Sequence, residues 1–407
     1  MSIKILLASG SRHSIPPLQH SPGVARVIYT LSQALKKEGY DIQVISQYHP
    51  DLSSLSYDRK VYRHPKPNWI TGMQQAWLKC LPYRWLKKRY GFTQIDRILY
   101  YKGVVKEASK IKPDLVISFM HIELFKQLHQ HIPQAQHIYF FRSTDLAKRI
   151  GKANMSYLLK NSAGFLANTQ APIQELKFFG DFDFPAKTIY NAVLHPRPDK
   201  EEIKLARQEI RMQNNIDADA VVLGFAGRFS EEKSLLELFQ AVAELNQAGA
   251  NYHILLAGDI RNEKTPNWPY YQKLKSFEQQ QLKGKVHWQG WVTHHKLWEF
   301  YAAIDFGLVL SKYSEGNSMF LLESLFYGKP VIATRIGGNA EVIRTGYNGF
   351  LVHPKKIQDE LEQVLYRLQQ ESSGYEILVE NAKNYITQHH APAIMIQQFK
   401  EYLQNFN

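Results

Sequence analysis

The chain has 407 residues, a formal net charge of +13 and a hydrophobic content of 44%. This length suggests two or three domains, each able to bury its own core. The single cysteine, Cys80, excludes a disulfide framework and any zinc site built on cysteines, and it fits a reducing compartment. No apolar run reaches the length of about 18 residues that a membrane-spanning helix needs.

Strand and helix patterns alternate along the first half of the chain. The N-terminal apolar run is too short for a signal peptide, and we expect it to form the first strand. The patterning predicts a helix from Gly23 to about Glu38 and strands at 3–8, 41–46, 114–119, 136–141, 162–168 and 187–190. This repetition predicts a parallel sheet with helices on both faces. No full G-x-G-x-x-G motif precedes the first helix, so dinucleotide binding is not supported.

Residues 69–102 mix aromatic and cationic side chains. From Asp58 to Lys106 there are twelve Lys or Arg against two Asp, a local balance of +10. Apolar anchors beside cations suit an anionic membrane surface. Single-stranded nucleic acid is an alternative partner, but we do not expect one. A pair of helices with solvated charges, separated at Pro82, is the other interpretation, and the sequence leaves it open.

The second half continues the alternation. Strands are predicted at 221–227, 251–259, 286–292, 305–311 and 350–354, and helices at 199–213, 235–245, 297–304, about 356–371 and about 376–406. Gly227 ends the first of these strands and is followed by Arg228 and Lys233, just ahead of a helix. Two cations beside a helix start suit a diphosphate. Gly258 turns the next strand.

Two glutamates flank a later helix start. Glu315 follows a strand, Ser318 is a candidate N-cap, and Glu323 lies in the first turns of the helix. The unpaired N–H groups of a helix start attract anions, whereas a carboxylate facing the same anion would repel it. We therefore expect a phosphate between the two glutamates and hydroxyls on either side of it. That arrangement describes a nucleotide-sugar.

Two patterns invite a metal interpretation. Asp181-Phe182-Asp183 spells D-x-D, a known metal-binding signature, but it stands in a turn-rich run typical of a loop. His294 and His295 have no third ligand at metal spacing, so we interpret them as a surface pair or a helix start. The sequence therefore predicts no metal site.

Several motifs together resemble a known family. Glu315-x7-Glu323, the Gly328-Lys-Pro-Val strand start, Gly337-Gly338 and Glu341 look like the donor signature of retaining family 4 glycosyltransferases, the glycosyl transferases group 1. The resemblance extends over nearly the whole chain. It implies an α/β, GT-B architecture of two Rossmann-like domains facing each other across a cleft. The implied parts are an acceptor-binding domain at 1–193, a nucleotide-sugar-binding domain at 194–375, and a C-terminal helix at 376–407 that crosses back to the first domain.

The resemblance also implies a reaction and roles for residues. The reaction is metal-independent, retaining transfer of a sugar from a nucleoside-diphosphate sugar, with no cofactor. Glu315 is expected to contact the donor sugar and Glu323 the ribose hydroxyls, while Arg228 and Lys233 stabilise the leaving diphosphate. The remaining expected donor contacts come from Gly23, Gly227, Gly258, Gly316, Asn317, Ser318, Met319 and Phe320.

The acceptor side departs from the family pattern. Arg142 stands where a histidine is usual, and an arginine cannot act as a base at pH 7. His121 is the candidate to cover that role. The junction phrase Asn191-Ala192-Val193-Leu194 also differs from the family's Asn-Gly-Val-Asp. A non-catalytic scaffold homologue and a sugar-nucleotide epimerase of the same fold therefore stay open as alternatives.

A saccharide or lipid-linked acceptor in cell-surface polysaccharide or lipopolysaccharide-type biosynthesis is the expected class. The matching location is the cytoplasm, peripheral to the inner face of the membrane.

Overall fold

The protein is represented by a computed structural model. It describes residues 3–10, 13–18, 21, 23–66, 73, 76–77, 79–82, 94–194, 198–258, 265–313, 315–370 and 374–406. The chain divides into two compact units, the first comprising Met1–Ala192 and Pro392–Asn407 and the second comprising Val193–Ala391. Most of residues 69–93 lie outside the described part. Within that part, none of the helices combines the length and apolar character that a bilayer-spanning segment needs.

The first unit is built on a parallel sheet. Its strands are β1 (Lys4–Ser9), β2 (Asp41–Ile45), β3 (Tyr62–Arg63), β4 (Leu115–Phe119), β5 (Gln136–Phe141), β6 (Gly164–Ala167) and β7 (Ala186–Thr188). They lie in the order β3-β2-β1-β4-β5-β6-β7, and every neighbouring pair is parallel. The sequence missed β3, because two residues are too few to show a strand periodicity.

Helices cover both faces of this sheet. They are α1 (Gly23–Lys37), α2 (Ile95–Ile111), α3 (Ile122–His131), α4 (Leu146–Arg149), α5 (Lys152–Asn161) and α6 (Gln170–Leu176). Along β1, Ile5 and Leu7 belong to the apolar cluster that contains Ile28 of α1. Leu6 belongs to the opposite cluster, which contains residues of α2 and α3. Burial on both faces explains why this strand is a continuous apolar run.

The second unit repeats the architecture. Its strands are β8 (Val221–Ala226), β9 (Tyr252–Ala257), β10 (Val286–Trp288), β11 (Phe306–Val309), β12 (Val331–Thr334) and β13 (Gly349–Val352). They lie in the order β10-β9-β8-β11-β12-β13, again all parallel. The helices are α7 (Lys200–Gln213), α8 (Leu235–Gln247), α9 (Trp268–Gln281), α10 (Leu297–Ala303), α11 (Met319–Phe326), α12 (Asn339–Val342), α13 (Ile357–Gln370) and α14 (Tyr375–His389).

The end of the chain differs from the expectation. The sequence predicts one closing helix at about 376–406, but the structure has two, α14 and α15 (Pro392–Leu403). Pro392 has no backbone N–H and restricts Ala391 before it, so the helix cannot continue through this point. Only α15 belongs to the first unit, where Phe399 and Tyr402 join the core cluster of α1 and β1.

In each sheet the strand order reverses direction at one point. The reversal falls between β1 and β4 in the first unit and between β8 and β11 in the second. In open parallel sheets, ligands bind outside the carboxyl ends of the strands at such a point. The topology therefore directs attention to the loops that follow these four strands.

A buried ion cluster fixes the opposite, amino-terminal end of β11. Asp305 accepts hydrogen bonds from Arg207 Nη2 and Arg211 Nη2, both at 2.7 Å, and from the backbone N–H of Val222, also at 2.7 Å. Arg211 is only 5% exposed. These contacts tie α7 to β8 and β11, so the carboxylate holds together three elements that would otherwise present unpaired polar groups.

Replacing Asp305 tests this cluster. We expect Asp305→Ala to lower the free energy of unfolding by about 3–5 kcal/mol, because it leaves buried guanidinium groups without their counter-charge. The measurement is urea unfolding of the full chain. Glu201→Ala is the control, since Glu201 lies 4.0 Å from Lys204 in an exposed pair, and it should change the free energy by less than about 0.5 kcal/mol. Equal effects of the two substitutions would contradict the assigned role.

Candidate functional site

Lys233 joins the loop after β8 to the loop after β11. Its ammonium group donates to Glu315 Oε2 at 2.6 Å and to Ser311 Oγ at 3.0 Å. Ser311 Oγ donates to the same carboxylate oxygen at 2.6 Å. An ammonium group has three donors, so one N–H of Lys233 remains for an anion. The contact brings two residues singled out from the sequence together at the point where the strand order reverses.

Arg228 lies on the same loop as Lys233. Its Nη2 donates to Glu232 Oε1 at 3.0 Å, and the side chain is 76% exposed. The backbone carbonyl of Glu232 accepts from the N–H of Lys312 at 2.8 Å, which links this loop a second time to the segment before Glu315. A guanidinium carries five donors, so most of those on Arg228 are open to a ligand.

Two glycines allow these loops to approach one another. A Cβ at Gly337 would overlap the carbonyl oxygen of Glu315, and Gly337 has a φ of +47°. The next N–H, that of Gly338, donates to that same carbonyl at 3.0 Å. A Cβ at Gly258 would likewise overlap the carbonyl oxygen of Gly227. Any other residue at position 258 or 337 would therefore force the backbone around Gly227 or Glu315 to shift.

The segment from Gly316 to Phe320 leads into α11. Ser318 occupies the N-cap position as expected, but its side chain makes no capping hydrogen bond. Its carbonyl accepts from the N–H of Leu322 at 3.1 Å, which is the first bond of the helix. The N–H groups of Met319 and Phe320 thus have no intrahelical acceptor. Asn317, just before them, is 5% exposed.

Glu323 lies inside the second unit, only 1% exposed. Its Oε2 accepts from the hydroxyl of Tyr301 at 2.8 Å. His294 Nε2 lies 4.0 Å from Oε1. Phe320 packs against Tyr301, with ring centroids 5.6 Å apart. Tyr301 and His294 therefore define the orientation of this carboxylate.

Sequence reasoning missed Tyr301, Ser311 and the approach of His294 to Glu323. Tyr301 stands in an apolar helix, where it is indistinguishable from a core residue. Ser311 is an ordinary strand-end serine. The His294–Lys296 turn does precede α10, as the helix-start interpretation expected. The contact of His294 with Glu323 depends on the packing of elements that are far apart in the sequence.

In the first unit, His121 stands just beyond β4. Its ring lies against Gly10, where a Cβ would overlap it, and 6.4 Å from the ring of Tyr101. Burial, with a smaller contribution from Arg97, lowers the pKa of His121 to about 4. The imidazole is therefore neutral at pH 7, and it takes up a proton less readily than an ordinary histidine. Met120 before it adopts a left-handed φ of 69°.

The other predicted residues of the first unit lie at strand and helix ends. Arg142 follows β5 directly, and its Nη1 donates to Asn191 Oδ1 at 2.8 Å. Gly23 is the first residue of α1. Asp181-Phe182-Asp183 lies in the connection between α6 and β7, where Phe182 stacks on Phe184 at 5.1 Å and both pack against Phe165. The D-x-D residues thus frame an aromatic cluster in a loop, as interpreted.

The second unit matches a family model. Residues 206–385 match the model described as glycosyl transferases group 1. This range contains Arg228, Lys233, Glu315 and Glu323.

Similar sequences include two characterised transferases. The lipopolysaccharide 1,2-N-acetylglucosaminetransferase of Salmonella typhimurium is 24% identical over 319 residues, which is 77% of this chain and 80% of that protein. The alpha-D-kanosaminyltransferase of Streptomyces kanamyceticus is 25% identical over 279 residues, 68% of each chain.

Similar structures cover the whole chain. The sucrose-phosphate synthase of Thermosynechococcus elongatus has a TM-score of 0.76 at 17% identity, covering 99% of both chains. The HepE protein of Anabaena in complex with UDP has a TM-score of 0.74 at 19% identity, covering 99% of this chain and 100% of that one. HepE has also been solved with UDP-glucose, with a TM-score of 0.72 at 18% identity and 99% coverage of both chains. Residues 206–385 thus resemble the glycosyl transferases group 1, and the chain as a whole has the GT-B fold.

Proposed function

We propose that the chain is a retaining glycosyltransferase that uses a nucleoside-diphosphate sugar and needs no metal or other cofactor. Its acceptor is a saccharide or a lipid-linked saccharide, in biosynthesis of a cell-surface polysaccharide or of a lipopolysaccharide-type molecule. The transferred group is a hexosyl or N-acetylhexosaminyl unit. The observation that carries the proposal is the bonding of Lys233 to Glu315 and Ser311 at the carboxyl ends of β8 and β11.

The charges around Lys233 suit the departure of a diphosphate. In the transfer, the bond between the anomeric carbon and the diphosphate oxygen breaks, and a bond to the acceptor oxygen forms. The acceptor's hydroxyl proton leaves with the released nucleoside diphosphate. Negative charge grows on that diphosphate, so fixed cations and N–H groups lower the barrier. Arg228, the remaining donor of Lys233 and the first N–H groups of α11 supply them.

The two glutamates serve the neutral parts of the donor. Glu315 is already oriented by Lys233 and Ser311, so its carboxylate is held in place for hydroxyls of the sugar. Glu323 is oriented by Tyr301, and by family resemblance it receives the ribose hydroxyls. Carboxylates accept hydrogen bonds and donate none, which matches them to hydroxyls rather than to phosphate oxygens.

The relatives support the donor and acceptor classes. A structural neighbour binds UDP and UDP-glucose, which favours a uridine diphosphate sugar as the first donor to try. A sequence relative is a lipopolysaccharide N-acetylglucosaminetransferase, which favours a saccharide acceptor of the cell surface.

Incubation with a panel of nucleotide-sugars tests the reaction class. Release of the nucleoside diphosphate is followed by chromatography, with and without added saccharides. We expect release from at least one donor and stimulation by an acceptor. Conversion of the donor to its epimer without release would instead indicate an epimerase. Nucleotide binding without release from any donor would indicate a scaffold protein.

Glu315 gives the sharpest test of the site. We expect Glu315→Ala to lower the rate of transfer by at least about a hundredfold, because it removes the sugar contact and frees Lys233 from its fixed position. The thermal midpoint should stay close to that of the unchanged chain. Glu380→Ala, an exposed glutamate of α14, is the matched control and should retain full activity. A wild-type rate of transfer by the Glu315→Ala variant would contradict the assignment of Glu315 to the site of sugar transfer.

We also propose that residues 69–102 contact an anionic membrane surface, so that the protein is cytoplasmic and peripheral to the inner face of the membrane. The support is the local charge of this stretch and its aromatic content. Of its described residues, Trp77 is 56% exposed and Met73 is 64% exposed. Exposed apolar side chains beside cations are the combination that binds to headgroups.

Charge reversal tests the membrane contact. We expect replacement of Lys87, Lys88 and Arg89 by Glu to weaken binding to vesicles that contain phosphatidylglycerol, since each basic residue near the surface contributes about 1 kcal/mol. Co-sedimentation measures the binding. Vesicles of phosphatidylcholine alone and a Lys355→Glu, Lys356→Glu variant of the second unit are the controls. Unchanged co-sedimentation would instead favour the interpretation of this stretch as a helix pair with solvated charges.

A further inference from the structure

Arg142 has no acidic partner in the described part of the chain. Its Nη1 donates to the amide oxygen of Asn191 at 2.8 Å. Its Nε is buried and has no hydrogen-bond acceptor among the described residues. The edge of the guanidinium formed by Nε and Nη2 therefore faces no carboxylate there. A neutral amide is the group that positions this cation.

Arg142 is half-buried, and moving a cation out of water is costly. Its Cζ lies 5.8 Å from the ring centroid of Phe140. Burial lowers the pKa of Arg142 to about 10, so the side chain still carries its charge at pH 7. Burying an ionised group without a counter-charge is unfavourable unless a ligand supplies the opposite charge. A cation left unpaired in this way indicates a place for an anion.

The acidic side chain that approaches this segment is already engaged. Glu175 Oε1 accepts from the N–H of Asp145 at 2.9 Å, and its Oε2 accepts from the N–H of Leu146 at 2.7 Å. Both carboxylate oxygens are thus used to hold the turn into α4. Glu175 does not reach Arg142, and it keeps the segment after β5 in place.

Further polar groups lie at the same edge of the sheet. Asn168 follows β6 directly, is 2% exposed, and its Oδ1 has no hydrogen-bond partner among the described residues. The hydroxyl of Thr169 is likewise buried and without a partner in that part of the chain. Asn191 comes shortly after β7. Because all strands are parallel, the carboxyl ends of β5, β6 and β7 lie at the same edge of the sheet as those of β1 and β4, between which the strand order reverses.

We propose that Arg142, positioned by Asn191, binds an oxyanion of the acceptor, a phosphate or a carboxylate, so that the acceptor is a negatively charged saccharide. This inference rests on the proposed transferase function. A guanidinium can offer two parallel N–H donors to such a group, whereas the histidine usual in this family offers a single donor or acceptor. An arginine at this position can thus bind an anion, whereas a histidine could transfer a proton. His121, at the end of the neighbouring strand β4, is the neutral imidazole in this part of the sheet.

Calorimetry with sugar ligands tests the proposal without turnover. The full chain is first saturated with UDP, and then titrated with glucose, glucose 6-phosphate or glucuronate. We expect at least one anionic sugar to bind about tenfold or more tightly than glucose, which is the value of one hydrogen bond to a charged group. The phosphate and carboxylate arms show which oxyanion is preferred.

Substitution of Arg142 completes the test. In Arg142→Gln the anionic and neutral sugars should bind equally, and in Arg142→Lys part of the preference should return. Arg149→Gln, an exposed arginine of α4, is the matched control. The affinity for UDP should be unchanged in every variant. A preference that survives in Arg142→Gln, or no preference for either anionic sugar, would overturn the proposal.

UDP binding separates this inference from the proposed function. Loss of UDP affinity in Arg142→Gln would indicate that the arginine binds the donor instead of the acceptor, and it would overturn the inference. Anionic-sugar preference in a chain that releases no diphosphate from any donor would leave the oxyanion site standing and refute the transferase.

Discussion

One lysine ammonium group organises the candidate site of the second unit. Lys233 bonds to Glu315 and Ser311, and so joins the loops of two neighbouring strands that are separated by 80 or so residues of chain. The bond places a cation and a carboxylate side by side where the strand order reverses. It orders both groups before a ligand arrives, so less conformational freedom is lost on binding. Gly258 and Gly337 allow the loops to lie this close, because a Cβ at either position would overlap a backbone carbonyl oxygen of the neighbouring loop.

The two units use the same topological point for different chemistry. In the second unit the reversal carries cations, N–H groups and two carboxylates fixed by hydrogen bonds. In the first it carries Gly10 and His121, with Arg142 on the next strand. Partial burial lowers the pKa of His121, so that it is uncharged at pH 7, while the half-buried Arg142 keeps its charge. A repeated fold thus presents cations and free helix N–H groups at this edge of one unit, and in the other unit an uncharged imidazole with a cation on the next strand.

Periodicity and motif spacing predicted most of this architecture. The alternating strands and helices, the loop position of Glu315 and the start of α11 at Met319 all follow from local patterns. The motifs also indicated the family whose model matches residues 206–385. The contacts that orient the site were beyond the sequence. Tyr301 reaches Glu323 only because α10 packs beside α11, and Asn191 reaches Arg142 only because β7 and β5 share a sheet. Such partners depend on tertiary packing and leave no local signature.

The division of the chain has a consequence for synthesis on the ribosome. The first unit includes α15, whose Phe399, Tyr402 and Leu403 fill its core, yet these residues are translated after the entire second unit. The second unit is continuous in sequence and has all its strands before α15 emerges. The unit that begins first is therefore the last to be completed. Until then the apolar face that Phe399, Tyr402 and Leu403 cover in the folded unit has no partner helix.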